Sequence, residues 1–270
     1  MKKRPLGQNF LIDPGIAQQI IQLAHIQPGE PVVEIGPGKG ILTQLLIQQT
    51  DSLTAIELDP QLSRDLQKRF GDALSFELVE VDAAKFDYSS LGVRLNIVSN
   101  LPYYAATHIM KKLIHYRKHI RSMTLMLQKE VVDRLAASPG DKNYGRLSVM
   151  VQYYSSVQPL FSVPSTAFRP APKVESAIVR LLPYSQPPHP ANDLELLTRL
   201  VSASFQQRRK TMRNTLKYML DATQLEQLDI DTKYKIPHMG WNEVNHDEKS
   251  ILFQNIQNQK DFYFVHSYIF

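Results

Sequence analysis

Apolar and polar positions along this chain alternate between two periods. Residues 16–25 place Ile16, Ile20, Leu23 and Ala24 at close to helical spacing, whereas 31–35 (Pro-Val-Val-Glu-Ile) form a short apolar run that ends in a glycine turn. The pair then recurs, with a helix over 41–48, a strand over 53–58 and a helix over 61–70. Strands follow near 75–81, 95–99 and 122–128, with helices near 106–116 and 129–137. This rhythm predicts an α/β fold with a mostly parallel sheet and helices on both faces, because parallel strands need crossovers and the crossovers pack on the sheet. Residues 144–153 fit a helix or a strand, and the helix is preferred. Strands near 157–162 and 176–182 flank a proline-rich loop (Pro164, Pro170, Pro172) and are expected to close the sheet as an edge hairpin, giving seven strands in all. The segment Pro183-Tyr184-Ser185-Gln186-Pro187-Pro188-His189-Pro190 reads as a linker. Beyond it the pattern is helical over 193–206 and 208–220, so the expected domains are 1–184 and a small all-helical 185–270.

Composition changes this picture little, and mainly by exclusion. A length of 270 residues suffices for one large and one small domain. The net charge of +5 suits a polyanionic partner but does not require one. The absence of cysteine excludes disulfides, thiolate metal sites and a cysteine nucleophile. The eight histidines are scattered without metal-ligand spacing, so no metal is expected. Met1-Lys2-Lys3-Arg4 is followed by Gln8, Asn9 and Asp13, not by an apolar stretch, so no secretory signal is read. No apolar run approaches the ~20 residues of a membrane helix, and a cytoplasmic location is expected.

The most specific local signal is Glu34-Ile35-Gly36-Pro37-Gly38-Lys39-Gly40-Ile41-Leu42-Thr43, between a strand and a helix at the first crossover. Ligands of open α/β sheets bind at the carboxyl ends of such strands. A dinucleotide site wants G-x-G-x-x-G and a helix N-terminus for its pyrophosphate; here Ile41 stands where the third glycine would be. Glu34 would repel a pyrophosphate, whereas a cofactor carrying an ammonium and a sulfonium tolerates it. The loop therefore favours S-adenosyl-L-methionine, with a purely structural glycine turn as the alternative. Glu57, ending the second strand, can accept both ribose hydroxyls, and Asp82, after the third, can accept from an adenine amino group. Acids at three successive strand ends in register with the loop favour a site over three solvated surface carboxylates.

Asn100-Leu101-Pro102-Tyr103 follows the fourth strand. An exocyclic aromatic amine is a poor nucleophile because its lone pair is delocalised into the ring. Two carbonyls that each accept one N–H can draw the nitrogen towards a tetrahedral shape. Asn100 can supply a side-chain acceptor and Leu101 a backbone acceptor, with Pro102 biasing the Leu101 backbone to an extended conformation. Tyr103 can stack on the base and hold its plane. Basic residues gather in two acid-free stretches. One runs from Tyr88 to Lys129 and surrounds this motif; the other, from Arg199 to Lys217, falls in the helical region. Each is a solvated face or part of a cleft for a phosphate backbone.

With these segments in place, the chain resembles the KsgA-type small-subunit rRNA adenine dimethyltransferase family from about Gly7 to about Lys217. The resemblance is carried by Gly7-Gln8-Asn9-Phe10-Leu11, Glu34 to Thr43, Glu57-Leu58-Asp59, Asp82-Ala83 and Asn100 to Tyr103. It continues through Leu127 to Val131, Tyr144 to Ser148, Phe168-Arg169-Pro170-Ala171-Pro172-Lys173-Val174 and Phe205 to Asn214. It implies a Rossmann-like class I methyltransferase domain with a helical C-terminal domain. It also implies dimethylation of two adjacent adenosines in the 3′-terminal hairpin of 16S rRNA within the 30S subunit, and a late role in subunit assembly by a monomer. The residues implied to line the cofactor are Gln8, Asn9, Leu11, Glu34, Gly36, Gly38, Glu57, Asp82, Ala83 and Asn100. Asn100, Leu101, Pro102 and Tyr103 carry the chemistry, with Tyr103 and Phe168 implied to sandwich the adenine. Lys173, Arg208, Arg209, Lys210 and Arg213 are implied to meet RNA. Tyr104-Ala105-Ala106-Thr107 departs from the branched and hydroxyl residues more usual there, and the match fades beyond residue 220. Other readings are an assembly factor whose catalysis is secondary, a related large-subunit rRNA methyltransferase, and, more distantly, a DNA adenine methyltransferase.

Overall fold

The structure is a computed structural model that describes residues 8–206 and 212–220, together with the backbone of 238–244 and 260–266. The first stretch runs β1 (Phe10–Leu11), α1 (Pro14–Ala24), β2 (Val32–Ile35), α2 (Ile41–Leu46), β3 (Leu53–Glu57), α3 (Pro60–Phe70), β4 (Phe76–Glu80), β5 (Leu95–Asn100), α4 (Ala106–His115) and β6 (Ile120–Gln128). It continues through α5 (Lys129–Ala136), α6 (Arg146–Tyr154), β7 (Ser155–Val163), β8 (Phe168–Arg169), β9 (Ser176–Pro183) and α7 (Leu194–Ser204). Then come α8 (Met212–Leu216), β10 (His238–Val244) and β11 (Lys260–His266).

Seven strands form one sheet in the order β4-β3-β2-β5-β6-β9-β7. The first five are parallel, and β9 and β7 add on as the antiparallel edge that the two apolar segments after residue 155 predict. Strands β2 and β3 are buried along their whole length, which is why their sequences read as near-continuous apolar runs. Two helix starts are written as Asp-Pro: Asp13 accepts from Ile16 N at 3.1 Å ahead of α1, and Asp59 from Gln61 N at 2.8 Å ahead of α3. Helix α1 buries Ala17, Ile20, Ile21 and Ala24, a single helical stripe.

The chain order reverses at β2: β3 and β4 lie to one side of it, β5 and β6 to the other. The crevice above the carboxyl ends of β2 and β5 is thus the topological switch point, flanked by the glycine loop and by the Asn100 turn. Gly40, the residue before α2, has φ of 77°, and a Cβ there would lie 2.7 Å from the Phe70 ring. That ring is pinned by an edge contact with Phe76 and by the Arg69 guanidinium over its face. Gly40→Ala is therefore expected to cost about 3 kcal/mol, as backbone strain plus overpacking, read as a lowered denaturant midpoint at unchanged slope.

At the other end of the sheet Glu30 is held by Arg94 at 2.7 Å, Arg121 at 3.0 Å and Asn96 Nδ2 at 3.1 Å. These partners tie the starts of β2, β5 and β6 together. They also commit two of the basic residues between Tyr88 and Lys129 to the protein itself. Lys129 pairs with Asp133, and Lys112 and Arg117 lie over the rings of Tyr116 and Tyr154.

The chain divides into two compact units. One comprises 1–133 with 154–185, the other 134–153 with 186–270. The second has its own core of Ala137, Tyr144, Val149, Val201, Leu216 and Leu220. The all-helical character expected of 185–270 holds for α7 and α8 but not throughout. Strands β10 and β11 pair antiparallel over seven residues each, where the alternation Phe262-Tyr263-Phe264-Val265 offers strand-forming side chains.

Candidate active site

A cleft of about 350 Å³ opens at the carboxyl ends of the parallel strands, within the range of small-molecule sites. All ten cofactor candidates line it: Gln8, Asn9, Leu11, Glu34, Gly36, Gly38, Glu57, Asp82, Ala83 and Asn100. So do Leu101, Pro102 and Tyr103. The topology explains most of the convergence, since all but Gln8, Asn9 and Leu11 lie at or just after the carboxyl end of a parallel strand; those three belong to β1 and the residues before it, outside the seven-stranded sheet.

The glycine loop is held from both directions. Gly38 has φ of 59°, and a Cβ there would come within 3.0 Å of the Phe10 ring. Gly38 N donates to Glu57 Oε2 at 3.1 Å, while Glu57 Oε1 accepts from Leu58 N at 2.9 Å and Asp59 N at 3.0 Å. Burial pushes the Glu57 carboxyl above its usual range, against the pull of these three N–H groups. Glu34 is 1% exposed and accepts from Thr43 Oγ1 at 2.6 Å. Burial is the main cause that raises its carboxyl from 4.5 to about 8; the Thr43 hydrogen bond opposes the shift and the Glu57 charge adds to it.

A carboxyl raised in the folded state binds a proton that the unfolded chain has released above pH 4.5. Its contribution to stability is thus present below pH 4.5 and lost as pH rises to about 8. Glu34→Gln keeps an acceptor for Thr43 and removes the titration. Its stability relative to the wild type should rise between those pH values by about 2–4 kcal/mol, measured by urea unfolding at pH 5 and pH 8.5. Parallel unfolding curves for the two proteins across that window would contradict this.

Opposite the loop, Asn100 Nδ2 donates to Asn9 O at 3.4 Å, which leaves Oδ1 as the acceptor of that side chain. Pro102 O accepts from Ala105 N, whereas Leu101 O takes part in no backbone hydrogen bond among the described residues. The two acceptors that the chemistry needs are therefore adjacent and uncommitted. A Cβ on Gly36 would lie 3.6 Å from Pro102 Cδ, so a side chain there would occupy the space between the loop and the motif.

Phe168 is placed differently from these. It is 3% exposed, does not line the cleft, and stands opposite Leu11 in the short β1–β8 pair, which Ile12 N extends to Ala167 O at 2.8 Å. Lys173 is exposed. Arg208, Arg209 and Lys210 lie outside the described residues, as does the side chain of Arg213. Sequence reasoning missed Phe10 and Tyr104 as cleft residues. Phe10 packs on Gly38 beneath the Lys39 ammonium, and Tyr104 is 53% exposed with its phenol raised by burial and by the charges of Glu57 and Asp82. A two-residue strand and a turn are too short to give a periodic signal of either role.

Buried Glu34 keeps its proton to about pH 8 and so does not supply the charge expected to repel a pyrophosphate. Glu57 and Asp82 beside the glycine loop are the acids that face a cofactor, and the doubly wound sheet is of the Rossmann-like methyltransferase type. The chain belongs to the ribosomal RNA adenine dimethylase family, whose model matches residues 1–246. It is 47% identical over 232 residues to the ribosomal RNA small subunit methyltransferase A of Pseudomonas aeruginosa, covering 85% of this chain and 87% of that one. The Hahella chejuensis protein of the same name is 44% identical over 241 residues, 88% of each chain. Among solved structures, a dimethyladenosine transferase from Plasmodium falciparum superposes with a TM-score of 0.68 at 31% identity, covering 77% of this chain and 74% of that one. The 23S rRNA methyltransferase ErmE gives a TM-score of 0.68 at 25% identity over 83% of this chain and 91% of its own. The cofactor of this family is S-adenosyl-L-methionine, and the acid-lined cleft fits it.

Proposed function

We propose that this chain dimethylates the N6 amines of two adjacent adenosines in the 3′-terminal hairpin of 16S rRNA, within the 30S subunit or its precursor. It would act as a monomer in the cytoplasm during late subunit assembly. The observation that carries the reading is the pair of uncommitted acceptors on Asn100 and Leu101, set against the glycine loop.

S-adenosylmethionine supplies an electrophilic methyl group on a sulfonium, leaving S-adenosylhomocysteine after each transfer. Glu57 holds the ribose, Asp82 the adenine amino group, and Gly36 and Gly38 let the backbone approach. In the first transfer Asn100 Oδ1 and Leu101 O each accept one N–H of the target amine and free its lone pair for in-line attack; in the second, the monomethylated amine has a single N–H left, which one of the two accepts. The amine loses a proton after each transfer, so no strong base or metal is called on. Tyr103 stacks on one face of the target adenine and Phe168 on the other. Because Phe168 is buried against Leu11, its share requires the β1–β8 pair to shift as the base enters. Lys173 and the cluster Arg208, Arg209, Lys210 and Arg213 hold the RNA backbone.

The test is transfer from labelled S-adenosylmethionine to 30S subunits lacking the modification, with 50S subunits alongside and mass analysis of the RNA. Dimethyladenosine in 30S alone is expected. The likeness to a 23S rRNA methyltransferase makes the 50S arm necessary, and label there would overturn the small-subunit assignment.

A further inference from the structure

We infer that Ser176, at the start of β9, is a positioning residue that fixes the ring of Tyr103 and through it the plane of the target base. The inference rests on the reading of Tyr103 as a base-stacking residue.

Ser176 opens a run in which Ala177, Ile178 and Val179 are all buried, and it is itself 0% exposed. A hydroxyl in such a place is costly unless it is hydrogen-bonded, and an apolar residue would satisfy the strand equally well. Its partner lies 73 residues away in sequence: the Tyr103 hydroxyl, at 2.5 Å, where either oxygen can donate.

The two ends of this contact differ in rigidity. Ser176 stands opposite Gln128 of β6 on one side and Val163 of β7 on the other, so strands flank it on both sides. Tyr103 sits in the turn between β5 and α4, where no ladder holds it. Its ring is half-buried and lines the cleft. Burial raises its phenol while the Ser176 hydrogen bond opposes the shift, so the hydroxyl keeps its proton over the working pH range. A tyrosine ring turns about two bonds near the backbone, and a tether at the far oxygen stops both rotations while leaving the faces free. Rigid support of a loop-borne group is how a site keeps the geometry that transfer demands.

The test is a double-mutant cycle under single-turnover conditions on 30S subunits, with Ser176→Ala, Tyr103→Phe and the pair. Tyr103→Phe breaks the same contact from the exposed side and keeps the ring, so it reports even if Ser176→Ala folds poorly. Each single change should lower the transfer rate about 10–30-fold, with KM for 30S and affinity for S-adenosylhomocysteine within about threefold of wild type. The double variant should be no slower than the slower single one, because both remove one interaction. Active wild-type protein with near-normal single variants, or with effects that multiply in the pair, overturns the positioning role alone. A wild-type protein that methylates no 30S overturns the stacking reading and this inference with it.

Discussion

Asn100→Ala is expected to lower the rate of methyl transfer about 10³-fold while affinity for 30S and for S-adenosylhomocysteine changes less than about fivefold. The asymmetry follows from what the side chain does at each stage. In the resting site its one hydrogen bond is a long one to Asn9 O, so its removal costs the cleft little. In the transition state its oxygen holds an N–H on a nitrogen that is gaining positive charge, an interaction strengthened in a water-poor site and absent from the ground state. Asn100→Asp retains an oxygen acceptor and should keep more of the rate than alanine does. Near-normal turnover in Asn100→Ala would sink the two-acceptor mechanism, and a parallel loss of cofactor affinity would move Asn100 from chemistry to binding.

The second large effect belongs to Glu57. Glu57→Ala should weaken S-adenosylhomocysteine binding about 10²–10³-fold by calorimetric titration, through loss of two charge-assisted hydrogen bonds of about 1.5–3 kcal/mol each. Part of the loss comes from the protein side. Gly38, Leu58 and Asp59 each donate a backbone N–H to this one carboxylate, so its removal also loosens the glycine loop. Glu57→Gln keeps one acceptor oxygen and should lose only about tenfold. An alanine variant that binds within threefold of wild type would show that the ribose is held elsewhere.

The central strands could be read from the sequence because burial on both faces makes them mostly apolar, and helix α1 because Ile16, Ile20, Leu23 and Ala24 recur at close to helical spacing. The segment at 144–153 was ambiguous by periodicity. From Arg146 it resolves as α6, with Val149 buried in the same cluster as Val201, a core that no local pattern reveals. Strands β1 and β8 left no trace, being two residues each and formed by a pairing that spans most of the first unit. The site divides along the same line. Glu34, Glu57, Asp82 and Asn100 were visible because each follows its own strand, and topology alone brings strand ends together. The packing of Phe10 on Gly38 and the bond from Ser176 to Tyr103 join distant segments.

The second compact unit is woven from two stretches of chain, and its core is shared between them. Tyr144 meets the ring of Phe205 at 6.4 Å between centroids, and Val149 and Ala137 lie in the same cluster as Leu216. A protein shortened at the linker near residue 185 would thus not be a clean catalytic fragment. It would still carry 134–153, with three buried apolar side chains stripped of their cover and a new sticky surface in their place. Separating the two units by genetic surgery needs a second cut, one that also removes 134–153 from between Asp133 and Tyr154.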